Sequence, residues 1–136
     1  MGKVSGPLLD RIDMHIEVPA VPFEELSAQA DGTSSAVMRD QVTKVREAQR
    51  DRFGAGTTLN GQMATRELRK FCALDEEGRK ILRSAMDQLG LSARAHDRIL
   101  RVARTVADLD NAAAIRAEHV VEAIGYRSLD RKLWMG

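Results

Sequence analysis

Hydrophobic positions change period along the chain. Ile12, Met14, Ile16 and Val18 alternate with Asp13, His15 and Glu17, the period of two expected of a half-buried strand. Pro19 and Pro22 then stop the pattern. One strand cannot satisfy its own backbone donors and acceptors, and no second convincing strand follows, so this one is expected either to lie on something else or to belong to a sheet that the chain does not supply. From about residue 34 the period becomes helical. Ser34 or Ser35 can cap a helix to about Phe53, with Val37, Met38, Val42, Val45 and Ala48 on one side; Gly54, Ala55 and Gly56 break it. A short helix is predicted from about Ala64 to Cys72, presenting Leu68 and Phe71. Asp75 caps a third helix carrying Ile81, Leu82, Ala85, Met86 and Leu89, and Gly90 supplies a left-handed stop. Ser92 caps a fourth helix to about Leu109. Asp110 and Asn111 turn the chain, and a last helix runs from about Arg116 to Tyr126. The tail from Ser128 to Trp134 is expected to add another turn or two.

Composition supports an all-α reading. Pro7, Pro19 and Pro22 are all the prolines, so nothing interrupts helices after residue 34. Aromatic residues make up 4% of the chain, which leaves the core to Leu, Ile, Val, Ala and Met. The 136 residues suit one compact domain. With 21 Lys+Arg against 20 Asp+Glu, the net charge of +1 gives no global reason to bind nucleic acid or an anionic membrane. Cys72 is the one cysteine, which excludes an intrachain disulfide and an all-cysteine zinc site. No apolar run approaches the ~18 residues of a membrane span. The start MGKVSG misses a myristoylation signal because Gly6 stands where Ser or Thr is needed. A cytoplasmic protein with no membrane partner is the expectation.

The helix 92–109 carries the most chemistry. At about 100° per residue, Ala95, Ile99, Val102, Val106 and Leu109 share an arc that faces a core. Arg94, Arg98, Arg101 and Thr105 fall within roughly 60° of one another on the opposite side. Three guanidiniums there repel one another unless an anion or carboxylates lie close, and Asp97 and Asp108 can offset part of the charge. From pattern alone, a solvated polar face and an anion site stand about even. Arg94 is in the first turn, where free backbone N–H groups already favour an anion.

Other motifs carry less. Gly54 to Thr58, GAGTT, lacks the G-x-x-x-x-G-K-[ST] spacing and a lysine to reach phosphates, so it reads as a helix connection. No acidic pair follows a buried apolar strand. The chain alone is therefore not expected to hold ATP and Mg2+. His15, His96 and His119 are far apart and predict no metal site; His15 is expected on the polar side of its strand and His119 on a helix surface. Cys72 reads as a small buried apolar residue. Tyr126 and Trp134 are expected to pack the last helix.

Two segments go beyond pattern. Ser5 to Pro19, SGPLLDRIDMHIEVP, resembles the end of the ATPase core in the magnesium-chelatase and replicative-helicase branch of AAA+ proteins. Leu89 to Leu109, LGLSARAHDRILRVARTVADL, resembles the second-sensor helix of that branch. With FCALDEEG and the terminal AIGYRSLDRKLW, nearly the whole chain is similar to the C-terminal part of magnesium-chelatase-like AAA+ ATPases of the ComM/YifB type. The resemblance implies a core remnant over residues 1–33 and a helical lid of about five helices over 34–136. It also implies that Arg11 is the arginine finger reaching the γ-phosphate of ATP on a neighbouring subunit, and that Arg94 is the second-sensor arginine on the γ-phosphate. A permanently charged planar guanidinium suits both tasks. ATP and Mg2+ are then cofactors of a longer parent, and the partners are its upstream core, the other subunits of a homo-hexamer, and DNA through the full-length protein. Ile12 departs from an aromatic found in many relatives, which should alter packing more than chemistry.

As a piece lacking Walker A and Walker B segments, the chain is expected not to be an enzyme by itself, and residues before about Ser34 to dock loosely. The favoured parent is a DNA branch-migration motor of natural transformation. Two alternatives stay open: a metal-chelatase motor subunit, and a free-standing helical module that binds nucleic acid through Arg94, Arg98 and Arg101.

Overall fold

A computed structural model describes residues 13–14, 34–54 and 59–127. Those residues form α1 (Ser35–Phe53), a 3-10 turn (Asn60–Gln62), α2 (Thr65–Phe71), α3 (Glu76–Leu89), α4 (Ala93–Leu109) and α5 (Ala117–Gly125). The fold is all-α, as predicted, with no named strand among the described residues. A parallel bridge between Leu74 and Ile115 pins the segment before α3 to the one before α5. The strand expected over Ile12–Val18 lies outside the described residues except for Asp13 and Met14. Residues 55–58 of the glycine-rich connection and the tail 128–136 also lie outside them.

The helices start where their caps are. Ser34 Oγ accepts from the Val37 amide at 3.2 Å, Asp75 Oδ1 from Gly78 at 2.7 Å, and Ser92 Oγ from Ala95 at 3.1 Å. Gly90 ends α3 in the left-handed conformation at φ 61°. Asn111 turns the chain after α4 with φ 54°, a conformation its short polar side chain tolerates.

α4 is the axis of the bundle. It packs against α1, the 3-10 turn, α2 and α5, while α3 lies on α5. Ala95, Ile99, Val102 and Val106 are buried as expected, and Leu100, Ala103 and Ala107 are buried with them. Leu109 departs from the predicted arc: at the helix end it is 55% exposed. The predicted apolar side of α1 is divided. Val45 is buried, but Val37, Met38 and Val42 are about half exposed because the first ten residues of α1 project past the other helices.

The C-terminal half of α4 also departs from the solvated polar face. α1 and the 3-10 turn cover it and fill it with ion pairs and hydrogen bonds. Arg52 on α1 donates to both carboxylate oxygens of Asp108, and Asn60 Nδ2 donates to Asp108 at 2.8 Å and to Thr105 Oγ1 at 3.1 Å. Arg104 reaches Asp108 from one turn back at 3.0 Å and donates to the carbonyls of Ala112 and Ala113. Burial by itself would raise the Asp108 carboxyl, but the hydrogen bonds from Arg52 and Asn60 and the Arg104 charge outweigh it and hold the group below the usual carboxylate range.

Candidate functional site

The candidate site is the N-terminal half of α4, where the four arginines of the helix part company. Arg104 is 3% exposed and belongs to the interior. Arg101 folds back over the chain, its Nε and Nη2 donating to the Met63 carbonyl at 3.0 and 2.8 Å. Arg98 pairs with the carboxylate of Asp13. Arg94 is exposed and makes no hydrogen bond or ion pair among the described residues. The face expected to present three arginines therefore presents one free guanidinium. Two of the mutually repelling charges of the sequence pattern are compensated by groups distant in the chain, which no helical spacing could show.

Arg94 is the second residue of α4, beside the backbone N–H groups of the first turn, which have no intrahelical partner. Ser92 caps the Ala95 amide, so that turn is held in one conformation. A guanidinium and a helix N-terminus together form an electropositive corner that complements a phosphate oxygen. Asp97, one turn further on, is engaged with His96 Nδ1 at 3.1 Å. Arg11 lies outside the described residues, so its placement against Arg94 is not described. Asp13, two positions after it, is described. Besides its pair with Arg98, Asp13 receives on its main-chain carbonyl a contact from Nη1 of the fully buried Arg127 at 3.5 Å.

His119 differs from its expected place on a helix surface. It is 3% exposed, and its Nδ1 accepts from the Arg116 amide at 2.9 Å, capping α5. A neutral ring accepting at Nδ1 carries its proton on Nε2, which lies 2.9 Å from Asp110. Asp110, Glu118 and His119 thus have ligand atoms within 4.8 Å of one another, yet both ring nitrogens already serve hydrogen bonds. This is a cap with a carboxylate behind it. A surface reading of His119 failed because its second partner is not local: the cap to Arg116 is made within α5, but Asp110, on Nε2, comes from the end of α4.

Cys72 is buried, 3% exposed, and burial pushes its thiol up to about 11 even though Arg104, Arg52 and Arg101 oppose the shift. It behaves as an apolar residue beside the Met63 sulfur, 3.9 Å away.

A family model described as magnesium chelatase, subunit ChlI C-terminal, matches residues 32–127. The chain belongs to this family. It is 42% identical over 134 residues to the Competence protein ComM of Haemophilus influenzae, covering 98% of this chain and 26% of that protein. It is 40% identical over 134 residues to the protein YifB of Escherichia coli, with the same coverage of both. A protein of Mycobacterium tuberculosis is 35% identical over 128 residues, 93% of this chain and 25% of its own length. The chain thus spans about a quarter of the length of the curated relatives it matches, and it corresponds to the C-terminal part of proteins of the ComM/YifB type. The matched residues 32–127 hold all five helices, the capped first turn of α4 and Arg94.

Proposed function

We propose that this magnesium-chelatase C-terminal chain is the helical lid of an AAA+ ATPase, with residues 34–136 as the lid and 1–33 as the end of the ATPase core. Arg94 is the second-sensor arginine, which meets the γ-phosphate of ATP. Arg11 is the arginine finger, supplied in trans to the next subunit of a hexameric ring. One observation supports this above the others: of the arginines on α4, Arg94 alone is exposed and unengaged among the described residues, and it sits at a capped helix N-terminus. Charge that develops on the γ-oxygens during phosphoryl transfer is stabilised by such a cation. Mg2+ accompanies ATP, and its ligands are assigned to the upstream core, since Asp97, the acidic residue beside Arg94, is already engaged.

We read the parent as a DNA branch-migration motor of natural transformation rather than a metal-chelatase motor; the word competence in the printed name of the Haemophilus relative supports the link to transformation. A cytoplasmic location is part of the same reading; among the described residues no helix is long and apolar enough to cross a membrane.

The finger assignment is tested in the full-length protein. Arg11→Ala should abolish most ATP turnover while nucleotide binding stays close to wild type; wild-type turnover would overturn it. A module that binds nucleic acid through the α4 arginines makes a different prediction. The 136-residue chain would then bind DNA with a steep salt dependence, whereas a lid with one free arginine should bind weakly or not at all.

A further inference from the structure

An open cleft of about 530 Å3 lies among α2, α3 and the N-terminal half of α4. Only Gly90 to Ser92 separate α3 from α4 in the sequence, yet α3 packs on α5, which leaves a gap between the two helices. Leu82 and Leu100 are buried at its floor, with Leu74 half-buried beside them. His96 lines it from α4, about 160° around the helix from Arg94. The cleft is therefore distinct from the Arg94 corner.

Its charged rim is of one sign. Arg69 on α2 and Arg79 and Arg83 on α3 line it, all three exposed, and no Asp or Glu among the described residues does. Arg79 Nε donates to the Leu74 carbonyl at 3.2 Å, which holds that side chain at the edge. Arg69 and Arg83 make no hydrogen bond or ion pair among the described residues. The acids close by in sequence are used elsewhere: Glu76 pairs with Lys80 at 3.7 Å, and Asp97 meets His96 Nδ1 at 3.1 Å. Other guanidiniums of the bundle are answered within the chain, Arg52 and Arg104 by Asp108 and Arg98 by Asp13.

We propose that this cleft docks an acidic peptide segment of a partner protein, with an aliphatic side chain on the leucine floor and flanking carboxylates on Arg69 and Arg83. The volume is in the range of ligand pockets and takes an anchor side chain or two. Arginine matches a carboxylate with two parallel hydrogen bonds. Because the arginines come from two different helices, the complementary ligand carries acids on either side of its apolar anchor. A lone phosphate would leave the leucine floor unused. Nucleic acid fits less well, since no Phe, Tyr or Trp lines the cleft to stack a base. This site does not depend on the reading of Arg94 or Arg11.

The test titrates a fluorescein-labelled peptide, Glu-Glu-Leu-Leu-Glu-Glu, into the full-length protein and follows fluorescence anisotropy. Saturable binding is expected, weakened at least about tenfold by the double reversal Arg69→Glu with Arg83→Glu. Arg46→Glu, at an exposed arginine of α1, should leave it unchanged. Replacing both leucines of the peptide by serine should also weaken binding about tenfold. The peptide Lys-Lys-Leu-Leu-Lys-Lys should bind the double-reversal protein more tightly than wild type, a gain that a misfolded variant cannot give. No saturable binding to wild type, equal binding without the leucines, an equal loss in Arg46→Glu, or no gain for the lysine peptide would overturn the proposal. Tighter binding of a single-stranded thymidine oligonucleotide, lost in the same double variant, would overturn it as well and make the cleft a nucleic-acid site.

Discussion

Arg52 and Asp108 face each other in a two-point contact, Nη2 to Oδ1 at 2.6 Å and Nη1 to Oδ2 at 2.9 Å, across 56 residues of sequence. The Asp108 side chain is 2% exposed and Arg52 13%, and Arg104 adds a second guanidinium to the same carboxylate. This knot ties α1 to α4 and holds the C-terminal half of α4 against the rest of the bundle.

Removing the carboxylate leaves two largely buried cations without a counter-charge. Asp108→Asn should lower the stability of the chain by about 3–5 kcal/mol, the usual cost of breaking one side of a buried pair. Denaturant unfolding followed by circular dichroism measures it. A loss under about 1 kcal/mol would show the knot to be solvated and weak.

The same carboxylate sets an acid limit. Its folded value is held below the ordinary carboxylate range, so the stability it contributes is complete above about pH 4, the unfolded value. That contribution is lost as the pH falls through the lower folded value. Stability measured from pH 6 down to pH 2 should therefore fall steeply below pH 4 in the wild-type chain. Asp108→Asn should show a smaller acid-dependent loss, and identical slopes in the two proteins would contradict the assignment.

The Cys72 thiol, pushed up to about 11 by burial, is shielded both chemically and sterically. At pH 8 an aromatic disulfide reagent should label it at least about a hundredfold more slowly in the folded chain than in denaturant. Equal rates would mean that the core around Met63 and Leu82 opens readily.

The turn after α4 gives a backbone test. Asn111 holds φ 54°, so Asn111→Ala should cost about 1 kcal/mol, while Asn111→Gly should be close to neutral. Thermal melting of the two variants side by side separates backbone strain from the loss of the amide side chain.

Much of the architecture was readable because its signals are local. The caps Ser34, Asp75 and Ser92 and the stop at Gly90 place helix ends within a residue or so of those found. Cys72 was read as buried from its chemistry alone. What was not readable depends on residues distant in the chain. A helical wheel puts Asp108 near the arginine face but cannot show that α1 and the Asn60–Gln62 turn lie over it. The same wheel joins Val37, Met38 and Val42 to Val45, although only Val45 reaches the bundle. His119 was expected on a surface because its partner Asp110 comes from the end of α4, a contact that the spacing within α5 does not encode. For the candidate site, Arg94 was singled out by its place in the first turn of a helix; that Arg98 and Arg101 are engaged elsewhere emerged only from the packed chain.

The central claim is that Arg94 meets the γ-phosphate of bound ATP. The most direct measurement is steady-state ATP turnover of the full-length protein carrying Arg94→Ala, with the affinity for a non-hydrolysable ATP analogue measured on the same preparation. Turnover should fall by about a hundredfold or more, in the range found when a single group stabilising transition-state charge is removed, with analogue affinity largely intact. Turnover near wild type in Arg94→Ala would contradict the account.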